Sequence, residues 1–204
     1  YKNQHRVSID QITAFIGKND AGKSSIFDAL AIFFEQPLGK IDASDFCVHA
    51  GICGELRIGC VFTDFPDSLT IDTSSVTSLA EEYLLNSDGE LEIHKVYEFT
   101  EGTLKKPKVF AIANHPTANG FDNLLSKKNS ELKRILEMAN GLAVIDRRSN
   151  TALRKAIWGS ISDLRLNYSE IQLDKEDAKA IWDQLSKYLP EYALFRSDRP
   201  STDE

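Results

Sequence analysis

With 204 residues, 42% of them hydrophobic, the chain can bury a substantial core, as one domain or as a domain with a small subdomain. Its formal net charge of −7 argues against a cationic sleeve for nucleic acid but leaves room for local basic patches. No apolar run approaches the roughly 20 residues that cross a bilayer. No basic flank with a small-residue cleavage site opens the chain, so a cytoplasmic protein is expected.

Two short strands, over 6–9 and 11–16, are expected first and meet at Asp10; Ile12-Thr13-Ala14-Phe15-Ile16 reads as a buried parallel strand. Gly17-Lys18-Asn19-Asp20-Ala21-Gly22-Lys23-Ser24 then fits G-x-x-x-x-G-K-[ST] without a mismatch, and Ser25 follows it. Residues 25–35 set Ile26, Phe27, Leu30, Ile32, Phe33 and Phe34 close to a helical stripe, read as core, which Pro37 and Gly39 close. Strand, loop and helix therefore come in the order that a phosphate-binding loop requires. An ordinary glycine turn before a core helix is the plainer reading and fits this context less well.

The residue types match the chemistry. Gly17 and Gly22 let the backbone turn tightly, so that successive N–H groups and the helix start point at phosphates. Lys23 would reach the β- and γ-phosphates, and the Ser24 hydroxyl would ligate a bridging Mg²⁺. ATP and Mg²⁺ are the expected cofactors, with residues 17–25 as the nucleotide contacts.

Beyond the helix, residues 41–46 are polar and turn-like. Cys47, Cys53 and Cys60 are odd in number and lack C-x-x-C spacing, which suggests neither a disulfide framework nor structural zinc. Buried thiols are preferred over a metal site built from Cys47, His49 and Cys53. Residues 55–62 alternate as a strand, with Leu56, Ile58, Cys60 and Phe62 on one face. After the turn at 86–89, residues 90–99 alternate again, with Leu91, Ile93, Tyr97 and Phe99 opposite Glu90, Glu92, His94 and Glu98; His94 is read as solvated. A further strand is expected over 109–113. Helices follow over 130–140, capped by Ser130 and ended by Gly141, over 151–164, and from Asp174 to about 189 before Pro190. Residues 192–195 read as a returning strand, and the last residues as a polar tail. The expected fold is α/β: a P-loop lobe with mixed sheet and antiparallel β-subdomain over 1–125, then a helical part over 126–204.

Basic residues cluster at Lys105-Lys106-Pro107-Lys108, at Lys127-Lys128 with Lys133 and Arg134, and at Arg147-Arg148 with Arg154 and Lys155. A solvated face is their default meaning. Contact with a nucleic-acid backbone is the sharper alternative, for Arg147, Arg148, Arg154 and Lys155 in particular. Hydrolysis needs an acidic strand that holds Mg²⁺ and positions water. The nearest match, Leu142-Ala143-Val144-Ile145-Asp146, is followed by Arg147, and Asp203-Glu204 follows Pro, Ser and Thr. With Tyr1 at the start, the expectation is a fragment that ends before its catalytic half. The antiparallel strands from Glu55 onward argue against a small-molecule kinase with the same loop.

From Ile16 through Ser25, with Phe27-Asp28-Ala29-Leu30, the chain resembles the N-terminal lobe of ABC-type ATPases of the SMC/RecF class, and within it the OLD-like anti-phage ATPases. Asn19, Ser44-Asp45-Phe46 and the strand from Glu55 to Asp64 carry the rest of the likeness, so the first ~65 residues hold most of its specificity. The resemblance implies a split ATPase whose other half brings a signature motif, an acidic Walker B strand and a switch His, so the catalytic residues are unknown here. It implies head-to-head dimers with ATP sandwiched between subunits, coupling to DNA, and in OLD-like proteins a Toprim nuclease. A Gln usual after the first antiparallel strand is replaced near its place by Thr63-Asp64, which puts the second metal contact in doubt. A nucleotide-sensing module without hydrolysis is the alternative.

Overall fold

The computed structural model describes residues 4–18, 22–37, 39–42, 45–46, 54–72, 75–100, 103–139 and 145–195. Their elements are α1 (Lys23–Phe33), β1 (Gly54–Phe62), β2 (Leu69–Asp72), β3 (Ser75–Thr77), β4 (Leu91–Thr100), β5 (Thr103–Leu104), β6 (Lys108–Pro116), a 3₁₀ turn (Leu124–Ser126), α2 (Asn129–Met138), α3 (Asn150–Gly159), β7 (Leu166–Gln172) and α4 (Glu176–Leu185). The main sheet has the order β1-β4-β6-β7, with β5 on β4, and β2 and β3 form a separate hairpin. Every strand pair with a described register is antiparallel. Two compact units emerge, Tyr1–Ile58 with Tyr97–Lys105 and Pro190–Glu204, and Gly59–Val96 with Lys106–Leu189. The chain thus passes back and forth between these two units.

In the first unit α1 turns its apolar stripe inward, as its spacing requires, and Ala31 and Phe33 are fully buried. Ile32, Phe46 and Tyr97 form a small core edged by Ile41, Leu56, Ile58 and Phe99. The Tyr97 hydroxyl donates to the Ile32 carbonyl at 3.2 Å, which satisfies a phenol that burial holds well above its usual pKa. Tyr192 stacks on Phe34, with ring centroids 5.7 Å apart, and donates to the Phe27 carbonyl at 3.0 Å. Side-chain contacts therefore hold residues 190–195 to α1, and the strand expected at 192–195 is irregular chain.

The strands expected over 6–9 and 11–16 do not form either. Residues 4–18 are irregular, and Ile12 and Ile16 are 93% and 96% exposed. A parallel strand is stable only with neighbours on both edges and cover on both faces. Among the described residues no strand pairs with this segment.

In the second unit the alternation of residues 90–99 is realised in β4, where Leu91 and Ile93 are buried. β6 runs longer than expected, pairing with β4 from Lys108 to Ile112 and with β7 from Phe110 to Pro116. β7 interrupts a stretch that the sequence reads as helical. His94 departs from expectation: its side chain is only 13% exposed, and its Nε2 lies 2.9 Å from Glu92 Oε1. Gly59 makes this packing possible, because a Cβ there would collide with the imidazole.

Leu124, Leu132, Leu136, Leu153, Ile157 and Trp158 form the main core of this unit, where α2 and α3 meet beneath Tyr83 and Phe121. The helix starts are shifted from those expected. α2 begins after Lys128, whose N–H is taken by the Glu131 carboxylate at 3.0 Å, so Ser130 lies inside the helix rather than at its cap. Ser149 caps α3 through a bond from Ala152 N–H at 3.2 Å, and the helix stops at Gly159 instead of 164. α4 starts at Glu176, because the Asp174 carboxylate takes the Gln172 amide at 2.8 Å in place of the helix N–H groups.

Candidate functional site

The loop Gly17 to Ser24 lies in the first unit, and within it Asn19, Asp20 and Ala21 fall outside the described residues. Gly22 stands at φ 81°, the left-handed conformation that glycine adopts without a Cβ penalty, and α1 starts at the next residue. The helix has no side-chain cap bond and no acidic residue in its first turn. No acidic residue of that first turn therefore offsets its N-terminal dipole, as suits an anion site.

Lys23 folds back over the loop. Its ammonium donates to the Gly17 carbonyl at 2.8 Å and to the Lys18 carbonyl at 2.6 Å. Both acceptors are neutral, and among the described residues no carboxylate pairs with this cation, so its charge stays available to an incoming phosphate. The loop's own start thus fixes where the cation waits. Ser24 and Ser25 are exposed in the first turn. Phe15 packs edge-on against Phe27 at 5.3 Å, tying the chain that enters the loop to the helix that leaves it.

The donor set suits Mg²⁺, which takes one or two protein oxygens and completes its shell with substrate phosphates and water. An exposed Ser24 hydroxyl at the helix start can be that oxygen. No group of three or more His, Cys, Asp and Glu is placed to hold a metal among the described residues. Cys47, His49 and Cys53 lie outside them. Burial pushes the Cys60 thiol up to about 12 against the opposing charge of Lys95, so this cysteine is a poor nucleophile.

The four residues read as nucleic-acid contacts do not act as a group. Arg154 is fully buried: its Nε and one terminal nitrogen bond Glu82 at 2.8 and 2.7 Å, and the other terminal nitrogen pairs with Asp177. A guanidinium enclosed by two carboxylates cannot reach a DNA phosphate, so Arg154 is a structural residue of the second unit. Lys155 is exposed and pairs with Glu81 at 2.6 Å, which raises its pKa. Arg147 is exposed and lies 3.4 Å from Glu137, while Arg148 is exposed with its N–H on the Asp146 carboxylate at 2.9 Å.

Asn129 makes a connection the sequence did not reveal. Its amide donates to the carbonyls of Arg147 and Arg148 at 3.2 and 3.4 Å and to Asn150 Oδ1 at 2.8 Å. The starts of α2 and α3 are thereby joined, bringing Lys128 beside Arg147 and Arg148. Of the acidic-strand candidate, residues 142–144 lie outside the described residues; Asp146 is exposed in a turn.

No helix among the described residues is long and apolar enough to cross a membrane. No curated protein and no solved structure matches the chain. The family described as AAA ATPase domain matches residues 1–204. That match is to a family of P-loop ATPases, and the chain belongs to the AAA ATPase domain family.

Proposed function

We propose that the chain is the ATP-binding lobe of an ABC-type, SMC/RecF-like ATPase that couples nucleotide binding and hydrolysis to DNA binding or cleavage, in OLD-like anti-phage defence or in DNA repair. The observation that carries this reading is Lys23, whose ammonium sits between the Gly17 and Lys18 carbonyls at the head of α1. An entering triphosphate exchanges these neutral acceptors for anionic oxygens, a stronger charge-assisted bond. Ser24 then ligates Mg²⁺, and the backbone of residues 17–25 wraps the phosphates. Hydrolysis requires the acidic Walker B strand of the C-terminal half, with the signature motif of a second subunit facing the loop across an ATP-bridged dimer. Lys128, Arg147 and Arg148 offer the DNA backbone a basic edge.

Lys23→Ala tests the nucleotide reading. Loss of one charge-assisted contact lowers ATP affinity roughly 10- to 100-fold, measured by fluorescent-nucleotide titration; unchanged affinity ends the P-loop reading. Arg147→Glu with Arg148→Glu tests the DNA reading, with an expected loss of DNA affinity that shrinks as salt rises. Equal affinity at every salt concentration returns both arginines to an ordinary solvated face. The alternative is nucleotide sensing without hydrolysis. ATP binding without turnover by the complete, DNA-bound protein would favour it.

A further inference from the structure

β7 ends the order of the main sheet: it pairs with β6 along its whole length without a register shift, and no described strand pairs with its other edge. The ladder's ends show which backbone groups face that edge. Leu173 N–H donates to the Val109 carbonyl at 2.8 Å and Thr117 N–H to the Arg165 carbonyl at 3.2 Å, both directly opposed pairs that extend the β6–β7 register. In an antiparallel ladder such bonded pairs recur at every second residue. Asn167 and Ser169 therefore turn their N–H and C=O groups to β6, while Leu166 and Tyr168 turn theirs outward. These two residues also expose apolar side chains, 42% for Leu166 and 70% for Tyr168. The devices that usually guard an edge, a Lys, a Pro or a bulge, are missing from 166–169.

We propose that a second copy of the chain docks here, β7 against β7, antiparallel about a two-fold axis at Asn167. That register sets Leu166 opposite Tyr168 of the copy, twice by symmetry. It joins outward backbone groups to outward backbone groups, and each exposed apolar side chain covers the other. An axis at Tyr168 would set Leu166 against Glu170 instead, and an axis between residues would oppose outward with inward backbone groups. The contact is shorter than the roughly 1,200 Å² of a standard stable interface, so it forms reversibly at high concentration. It uses no nucleotide and is separate from the ATP-bridged dimer proposed above.

The test is sedimentation equilibrium of the chain without nucleotide, from about 10 μM to about 1 mM, the range where a weak contact populates. The mass of the wild-type chain is expected to rise toward twice the monomer, while Tyr168→Lys, at an exposed position, stays monomeric with an unchanged circular dichroism spectrum. Asn167→Cys reports the register: the proposed axis places it in a non-hydrogen-bonded pair, where Cα atoms about 4.5 Å apart suit a disulfide. Oxidation is expected to give a 167–167 cross-linked peptide by mass spectrometry, and Ser169→Cys, opposite Arg165 of the copy, gives no 169–169 peptide. A wild-type chain that stays monomeric throughout, or equal cross-linking at 167 and 169, overturns the proposal.

Discussion

In the first unit Lys23 rests its ammonium between two backbone carbonyls at 2.8 and 2.6 Å, while in the second Arg154 is enclosed with Glu82 and Asp177 and shows no exposed surface. The sequence offers both as phosphate contacts. A cation held by carbonyls is positioned but keeps its net charge, whereas one held by two carboxylates is already neutralised. The first arrangement awaits an anion. The second organises a core: Glu82 also accepts from Thr77 at 2.9 Å, and Asp177 accepts from Asn150 at 3.1 Å, so one polar network links β3, α3 and α4. What decides the role of a basic residue is therefore the charge of its acceptors.

The largest expected effect breaks the second arrangement. Arg154→Ala leaves Glu82 buried without its guanidinium and is expected to lower stability by about 3–5 kcal/mol, read from urea unfolding. ATP affinity should stay near that of the wild type, and a parallel loss of nucleotide binding in protein that is still folded would blur the contrast between the two cations. The next effect falls on the first arrangement. Gly22→Ala forces a side chain into the left-handed conformation at φ 81°, which costs roughly 1–2 kcal/mol. It should weaken ATP binding more than it lowers the melting temperature, and a pure stability loss with intact binding would separate loop geometry from function.

Acid distinguishes the units further. His115 is buried in the second unit, its Nδ1 donating to the Tyr83 carbonyl at 2.9 Å and its Nε2 without a hydrogen-bond partner among the described residues. Burial lowers its pKa from 6.5, outweighing the Tyr83 bond and the pull of Glu82 and Asp122, so the folded ring stays neutral. As pH falls below about 6.5 the unfolded chain takes up a proton that the folded one refuses, and stability falls by up to about 1.4 kcal/mol per pH unit until the lowered folded pKa is reached. Urea midpoints at several pH values should show this slope, and His115→Gln should flatten it. The smallest effect is at the surface. Lys155→Ala breaks an exposed, solvent-screened pair with Glu81 and should leave the urea midpoint close to that of the wild type; a loss like that of Arg154→Ala would mean exposure does not separate the two neighbours.

Much of the candidate site was legible because its pattern is local. Gly17, Gly22, Lys23 and Ser24 fall within one short loop and the helix start, and the helix after them is set by its own apolar spacing. β1, β4 and part of β6 were legible for a similar reason, since alternation places Leu56 and Ile58, or Leu91 and Ile93, on one face wherever the sheet lies. β7 was not legible. Leu166-Asn167-Tyr168-Ser169-Glu170-Ile171-Gln172 has little apolar alternation, and its strand form comes from pairing with β6. Ile12 to Ile16 shows the converse, a strong local preference with no partner strand among the described residues.

By itself the sequence determined the glycine-lysine motif, the helix behind it and the strands whose side chains alternate, because each rests on interactions spanning a few residues. The tertiary structure alone decided which basic residues are available: Arg154 meets Glu82 across 72 positions of chain, and Asn129 draws Arg147 and Arg148 to the start of α2. Burial and the charge of the acceptors set the role of a cation, and both depend on which distant segments the fold brings into contact.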